Sequence, residues 1–162
     1  MKTFFLFLLL ALPLSVNAQT ADSLDIEDQK ILANYTEEEL NEKMRPPQFV
    51  SGSVMKYLST HLKYPEMAGK YGIQGSVKIR FTVEKDGTVS HIIAADSTAY
   101  SNSKRCKKKD INRQKELEDV AAMLFAKEGE RVVREMPAWK PGTLEGQPFR
   151  IKMTLPITFR FK

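Results

Sequence analysis

Between Ile73 and Ala95 the chain reads IQGSVKIRFTVEKDGTVSHIIAA, and no other stretch restricts the fold as tightly. Gly75, Val77, Ile79, Phe81 and Val83 alternate with Ser76, Lys78, Arg80, Thr82 and Glu84. A period of two belongs to a strand with one face on a core and the other in water. Asp86-Gly87 supplies the positive-φ residues of a tight hairpin turn, and Val89 to Ala95 returns as the partner strand. Ile92 and Ile93 are adjacent, which breaks the alternation and predicts a bulge.

The flanking segments supply what covers the dry face. Upstream, Ser53 is placed to cap a helix carrying Val54, Leu58 and Leu62 at i, i+4 and i+8, with Tyr57 and His61 on the adjacent face. Tyr64-Pro65 breaks that helix, and Pro65 opens a second short turn that Gly72 ends. Downstream, Leu117, Val120, Ala121, Leu124 and Phe125 form an amphipathic stripe, and Val132, Val133 and Met136 continue it past Gly129. Pro137 stops this long helix. Trp139, the only tryptophan, folds back over the helix–sheet seam as a core residue, and its indole N–H needs a partner if buried. Pro141-Gly142 then turns the chain into a last strand, in which Phe149, Ile151, Met153, Leu155, Ile157, Phe159 and Phe161 alternate with mostly polar neighbours.

The long helix carries the chain back, so the last strand runs in the direction of the second. An antiparallel sheet then requires it to pair with the first, which places Gly75 to Val83 in the centre. The expected fold is α+β: a small antiparallel three-stranded sheet with helices packed on one face. Pro156 fits an edge position, because proline donates no ladder hydrogen bond. An exposed edge is also a template to which a peptide can add itself as a further strand.

The charges divide the chain. Gln19 to Arg45 holds eight acids and three bases, a net −5, whereas Pro46 to Lys162 carries 21 bases and 12 acids, a net +9. An acidic arm precedes a basic body. MKTFFLFLLLALPLSVNAQT has a positive start, an apolar run from Phe4 to Leu14, and small residues around Ala18. That is the plan of a secretory signal, cut before Gln19, or of a short anchor, since the run falls below the ~20 residues that span a bilayer. The expected organisation is a leader over 1–18, an acidic flexible arm over 19–41 with one helix after Thr36, and a domain over 42–162 with a basic insertion at about 99–115.

Residue chemistry points away from catalysis. His61 and His91 lie on different elements with no nucleophile or carboxylate at a useful spacing, so each reads as structural or surface. Neither a Cys/His metal spacing nor a glycine-rich phosphate loop is present. Cys106, the only cysteine, has no internal partner and sits in the basic loop SNSKRCKKKD. Export and the lack of stacking aromatics beside that loop exclude nucleic acid as a partner. No cofactor and no metal are expected.

In order along the chain stand Tyr64-Pro65 with Ala68, Gly75-x-Val77-x-Ile79-x-Phe81-x-Val83, Asp86-Gly87-x-Val89, Pro137-x-Trp139-x-Pro141-Gly142, Gly146, and Pro156-Ile157-x-Phe159. Together with the lead-in PPQFVSGSVMKYLSTHLKYP, this set resembles the TonB C-terminal domain from about Glu42 to the end. The resemblance implies a periplasmic domain that captures the TonB box, a short peptide of outer-membrane receptors, by strand addition at the last strand. It puts Lys63, Tyr64 and Pro65 near the partner, with Arg150, Ile151, Lys152, Met153, Thr154, Leu155, Ile157 and Phe159 along the edge. Gly75, Asp86, Gly87, Pro137, Trp139, Pro141 and Gly142 would be structural. It also implies TonB-dependent outer-membrane receptors as partners, and an inner-membrane proton-driven motor for the family's transducers. The family's long proline-rich spacer has no counterpart here, where Pro46 and Pro47 are the only prolines between leader and domain. A soluble periplasmic adaptor without energy transduction is the alternative. Homodimerisation by edge pairing is left open by the sequence.

Overall fold

The computed structural model describes residues 26–101 and 111–161. The expected leader, most of the basic insertion and Cys106 lie outside the described residues. The chain opens with helices α1 (Ile26–Leu32) and α2 (Glu37–Lys43), then the short strands β1 (Met44–Arg45) and β2 (Gln48–Phe49). Helices α3 (Val54–His61) and α4 (Glu66–Tyr71) lead into the hairpin of β3 (Ile73–Val83) and β4 (Val89–Ser101). The long helix α5 (Ile111–Arg134) is followed by β5 (Trp139–Lys140), β6 (Gly142–Leu144), β7 (Gln147–Phe149) and β8 (Ile151–Phe159).

The fold is α+β, and its main sheet has the order β4-β3-β8, antiparallel throughout. The central position of the first hairpin strand and the edge position of the last are as the topology argument requires. Helix α5 lies across β3 and β4, and α4 packs against both α5 and β3. Phe125, Ile73, Ile79, Val77, Val132, Val133, Ile157 and Phe159 are fully buried between these layers. Each such side chain stabilises the fold by about 1.5–3 kcal/mol relative to exposure. At Gly129 the helix comes so near the sheet that a Cβ would lie 2.8 Å from Ile79 Cδ1. Gly129, with no side chain in the way, is what lets α5 sit down on β3.

Several expectations are corrected. From Ile26 on, the described part of the arm is helical: Thr36 caps α2 in a capping box with Glu39, and Leu40 is buried with Leu144, Phe149 and Ile151 in a second small core. Ser53 holds the N-cap position of α3 but its hydroxyl makes no capping bond. Val120 is exposed, because the buried stripe of α5 runs through Ala121 and Phe125 and leaves Val120 at its border. In the hairpin turn only Gly87 has positive φ, at 87°. Gly87 N–H donates to Glu84 O at 2.9 Å and Glu84 N–H to Thr88 O at 2.9 Å, the pattern of a three-residue loop closed by a glycine bulge. Asp86 instead accepts from the Thr88 N–H and hydroxyl, at 2.9 and 2.6 Å, and these bonds hold its carboxyl below the ordinary range. The hairpin is longer than the alternation showed, since β4 continues to Ser101 with register shifts opposite Lys78/Ile79 and Arg80/Thr82. The expected insertion therefore begins as strand and ends as the first turn of α5.

Between α5 and β8 the sequence suggested only a turn, but two small sheets occupy the space. β2 pairs with β5, setting Phe49 opposite Trp139, and β1-β6-β7 forms a three-stranded sheet. Trp139 is 6% exposed, with Phe49 and Phe81 ring centroids 5.1 and 5.7 Å away. Its backbone N–H donates to Gly87 O at 2.8 Å, which ties the hairpin turn to the chain leaving α5. Its indole Nε1 is buried, and the described residues do not supply the expected hydrogen-bond partner.

Candidate functional site

The sheet has two edges, and they are unlike. On β4, Ala94 N–H donates to Glu130 Oε1 at 3.0 Å, and Ser101 N–H donates to Glu118 Oε1 at 2.8 Å. The Ser101 hydroxyl and Gln114 Nε2 converge on the same Glu118 oxygen. Two β4 amides that β3 does not take up are thus occupied by carboxylates of α5. Burial pushes the Glu118 carboxyl up, but the hydrogen bonds from Ser101 and Gln114 outweigh it and hold the group below its ordinary range. β8 pairs with β3 from Ile151↔Val83 to Phe159↔Gly75, and no strand among the described residues takes its other side. Pro156, opposite Lys78, interrupts its run of donors once.

This difference predicts a change of assembly. In Glu118→Ala/Glu130→Ala both β4 amides are released, at the loss of about 1 kcal/mol per hydrogen bond. Light scattering should show more self-associated chain than the parent at equal concentration, because an unguarded edge pairs with another. An unchanged mass distribution would mean that the β4 bulges, not the glutamates, protect this edge.

Side chains of β8 divide by face. Ile151, Ile157 and Phe159 are buried under the helices, so a partner reaches only their backbone. Lys152 and Thr154 are exposed on the wet face, while Met153 and Leu155 are half-buried. Arg150 precedes the strand and is held by Glu84, its Nε 2.6 Å from Glu84 Oε2, with Nη1 3.7 Å from Asp28 Oδ2. Asp28, 2% exposed, also has Lys85 Nζ at 3.4 Å. Its Oδ2 accepts no hydrogen bond, so the Arg150 contact acts through charge alone.

The other end of β8 meets the Tyr-Pro bend. The Tyr64 ring stacks on Phe161 at 5.0 Å and stands edge-on to Phe125 and Phe159 at 6.0 and 5.9 Å. Phe125 and Phe159 stack at 4.3 Å, and Tyr64 Oη donates to Ile73 O at 2.7 Å. Pro65 takes the N-cap of α4, and Lys63 is exposed beside it. Of the residues placed near a partner by resemblance, Lys63, Tyr64, Pro65, Ile157 and Phe159 come together here. Arg150, Ile151, Lys152 and Met153 do not join them, since nine residues of strand at ~3.3 Å each separate the two ends.

The structural candidates fall where backbone approaches closely. A Cβ on Gly75 would lie 2.1 Å from Thr98 O, one on Gly87 2.0 Å from Trp139 O, and one on Gly142 2.2 Å from Ile151 Cδ1. Asp86 shapes the turn, and Pro137 and Pro141 bracket Trp139 and β5. Sequence reasoning missed Glu118, Glu128, Glu130 and Arg131 on α5. Their signal was a row of carboxylates bordering an apolar stripe, which reads locally as a solvated helix flank.

Residues 60–102, the span from the end of α3 through the Tyr-Pro bend to the end of β4, match the family model described as the Gram-negative bacterial TonB protein C-terminal. No curated protein matches the chain. Among solved structures the chain is similar to the NMR solution structure of the TonB C-terminal domain of Helicobacter pylori. That similarity is 20% identity over 85% of this chain and 94% of that one, with a TM-score of 0.42.

Proposed function

Starting from the TonB C-terminal signature of residues 60–102, which bears out the resemblance read from the motifs, we propose that this TonB-like protein captures an extended receptor peptide as a fourth strand beside β8. One observation supports this reading: among the described residues neither edge strand has a further strand beside it, but α5 carboxylates accept from the Ala94 and Ser101 amides of the β4 edge. Main-chain bonds to β8 would supply affinity. Lys152 and Thr154 on the wet face, and Met153 and Leu155 on the other, would select side chains of the incoming strand. Partners of this kind are outer-membrane receptors, met in the periplasm.

The test is a titration of the isotope-labelled chain with a ten-residue synthetic peptide copied from the periplasmic N-terminus of a TonB-dependent receptor. Amide shifts are expected along 151–160 and not along β4. Methylating the peptide nitrogens one at a time should weaken binding about tenfold or more at alternate positions, since each such position loses a hydrogen bond and gains a clash. Shifts centred on β4, or indifference to methylation at every position, would reject strand addition at β8.

A second role for the same chemistry is that of a soluble adaptor. An intact mass beginning at Gln19 in the soluble fraction assigns the adaptor role. A full-length mass in the membrane fraction assigns energy transduction.

A further inference from the structure

Helix α5 grips the bend between α3 and α4 from the side. Glu128 Oε1 accepts the backbone N–H of Lys63 at 2.6 Å. The same carboxylate is held by Arg131 through two bonds, Nη2 to Oε1 at 2.6 Å and Nε to Oε2 at 2.8 Å. That is the forked pairing a planar guanidinium makes with a carboxylate. Arg131 Nη2 also donates to His61 O at 2.8 Å, and its Nη1 pairs with Glu135. Tyr57 Oη donates to the Glu135 carbonyl just past the end of α5 at 2.9 Å, so α3 is bound at both Tyr57 and His61 to this side of the long helix. The residue after the gripped amide is Tyr64, whose ring lies against Phe159 and Phe161.

We propose that Glu128 is a positioning residue for the C-terminal end of β8: by fixing the Lys63 amide it sets Tyr64 against Phe159 and Phe161, and so holds that end of the edge in strand form for a partner. The inference rests on strand addition at β8. It makes affinity for the incoming peptide depend on a carboxylate that touches neither β8 nor the peptide. The charge state suits the task. Burial pushes the Glu128 carboxyl up, but the hydrogen bonds from Arg131 and the Lys63 amide, with the charges of Arg131 and Lys63, outweigh it and hold the group below its ordinary range. The groups facing it are therefore cationic, with Glu135 and Tyr57 standing beyond Arg131.

Glu128→Ala and Glu128→Gln decide the matter, read in the labelled full chain by three measurements. The first is hydrogen exchange of the Lys63 amide, the second the Tyr64–Phe161 ring contact with the shifts of 157–161, and the third affinity for the receptor peptide described above. In Glu128→Ala the Lys63 amide is expected to exchange at least tenfold faster, the ring contact to disappear, and the peptide to bind about tenfold more weakly. Glu128→Gln keeps an acceptor for the amide and should restore most of the ring contact. A Glu128→Ala chain with a lowered melting temperature but an intact Tyr64–Phe161 contact and unmoved shifts at 157–161 overturns the proposal and leaves a structural clasp. If no peptide binds the parent, the strand-addition reading fails separately, and the exchange and ring contacts still decide whether Glu128 positions Tyr64.

Discussion

Gly75→Ala should cost this domain about 3 kcal/mol or more, lowering its melting temperature by roughly 10 °C. The added methyl would stand 2.1 Å from Thr98 O and 2.7 Å from the Phe125 ring. Neither neighbour can withdraw cheaply. Thr98 lies in the β3–β4 ladder opposite Ser76, and Phe125 is fully buried with its ring stacked on Phe159 at 4.3 Å. Accommodation therefore requires β4 to part from β3 or α5 to lift off the sheet. Either movement also disturbs Tyr64, which leans on the same two rings, so the strand edge should lose peptide affinity in the fraction still folded. Gly52→Ala serves as the control. Its φ is 89° but nothing lies within 4 Å of the new Cβ, so its cost is the roughly 1–2 kcal/mol of left-handed backbone alone. Calorimetry on both variants separates crowding from backbone strain. Equal melting temperatures for the two would refute the close approach of α5 to β3 at Gly75.

The parts of this fold that could be read in advance are those where a period repeats. β3 shows five alternations, and α5 returns the chain, so strand order follows from antiparallel pairing with no further information. β1, β2 and β5 are two residues long and β6 and β7 three, too short to show any period. The Glu145-Gly146 turn between β6 and β7, with φ 51° and 82°, was a signal of a hairpin, but its flanks were too brief to be recognised as strands. The end of β4 hid for another reason. Its polar residues, among them Thr98 and Ser101, are satisfied by Ser76 and Glu118, which are far off in sequence. Of the site, the aromatic bend and the edge were legible. The α5 carboxylates that guard β4 and grip Lys63 were not, because their partners are backbone amides and any sequence has those.

The described part of the arm carries more structure than its composition suggests. Eight acids among three bases between Gln19 and Arg45 suggested a flexible tether. Yet Glu37, Glu38 and Glu39 occupy the first turn of α2, where the helix end favours negative charge, and Asp28 faces Lys85 and Arg150. Ile31, Leu32 and Tyr35 then pack with buried Leu40 on Leu144, Phe149 and Ile151, at the start of β8. Main-chain and charge contacts add to this, with Glu145 N–H donating to Lys43 O at 3.1 Å and Lys43 Nζ 2.9 Å from Glu145 Oε1. A chain beginning at Met44 should therefore be less stable than one beginning at Gln19 by about 3 kcal/mol, the value of Leu40 and the partly buried residues around it. The loss should be uneven. Amides of Phe149 to Met153 should exchange faster, while those of β3 under α5 keep their protection, because the second core is a separate cluster that shares Met153 with the main one. Denaturant midpoints and site-resolved exchange on the two chains measure both effects. Equal midpoints would return the arm to the role of tether. The expected difference would mean that a pull applied through the N-terminal side acts first on the small sheet beside β8, and only afterwards on the core that holds its far end.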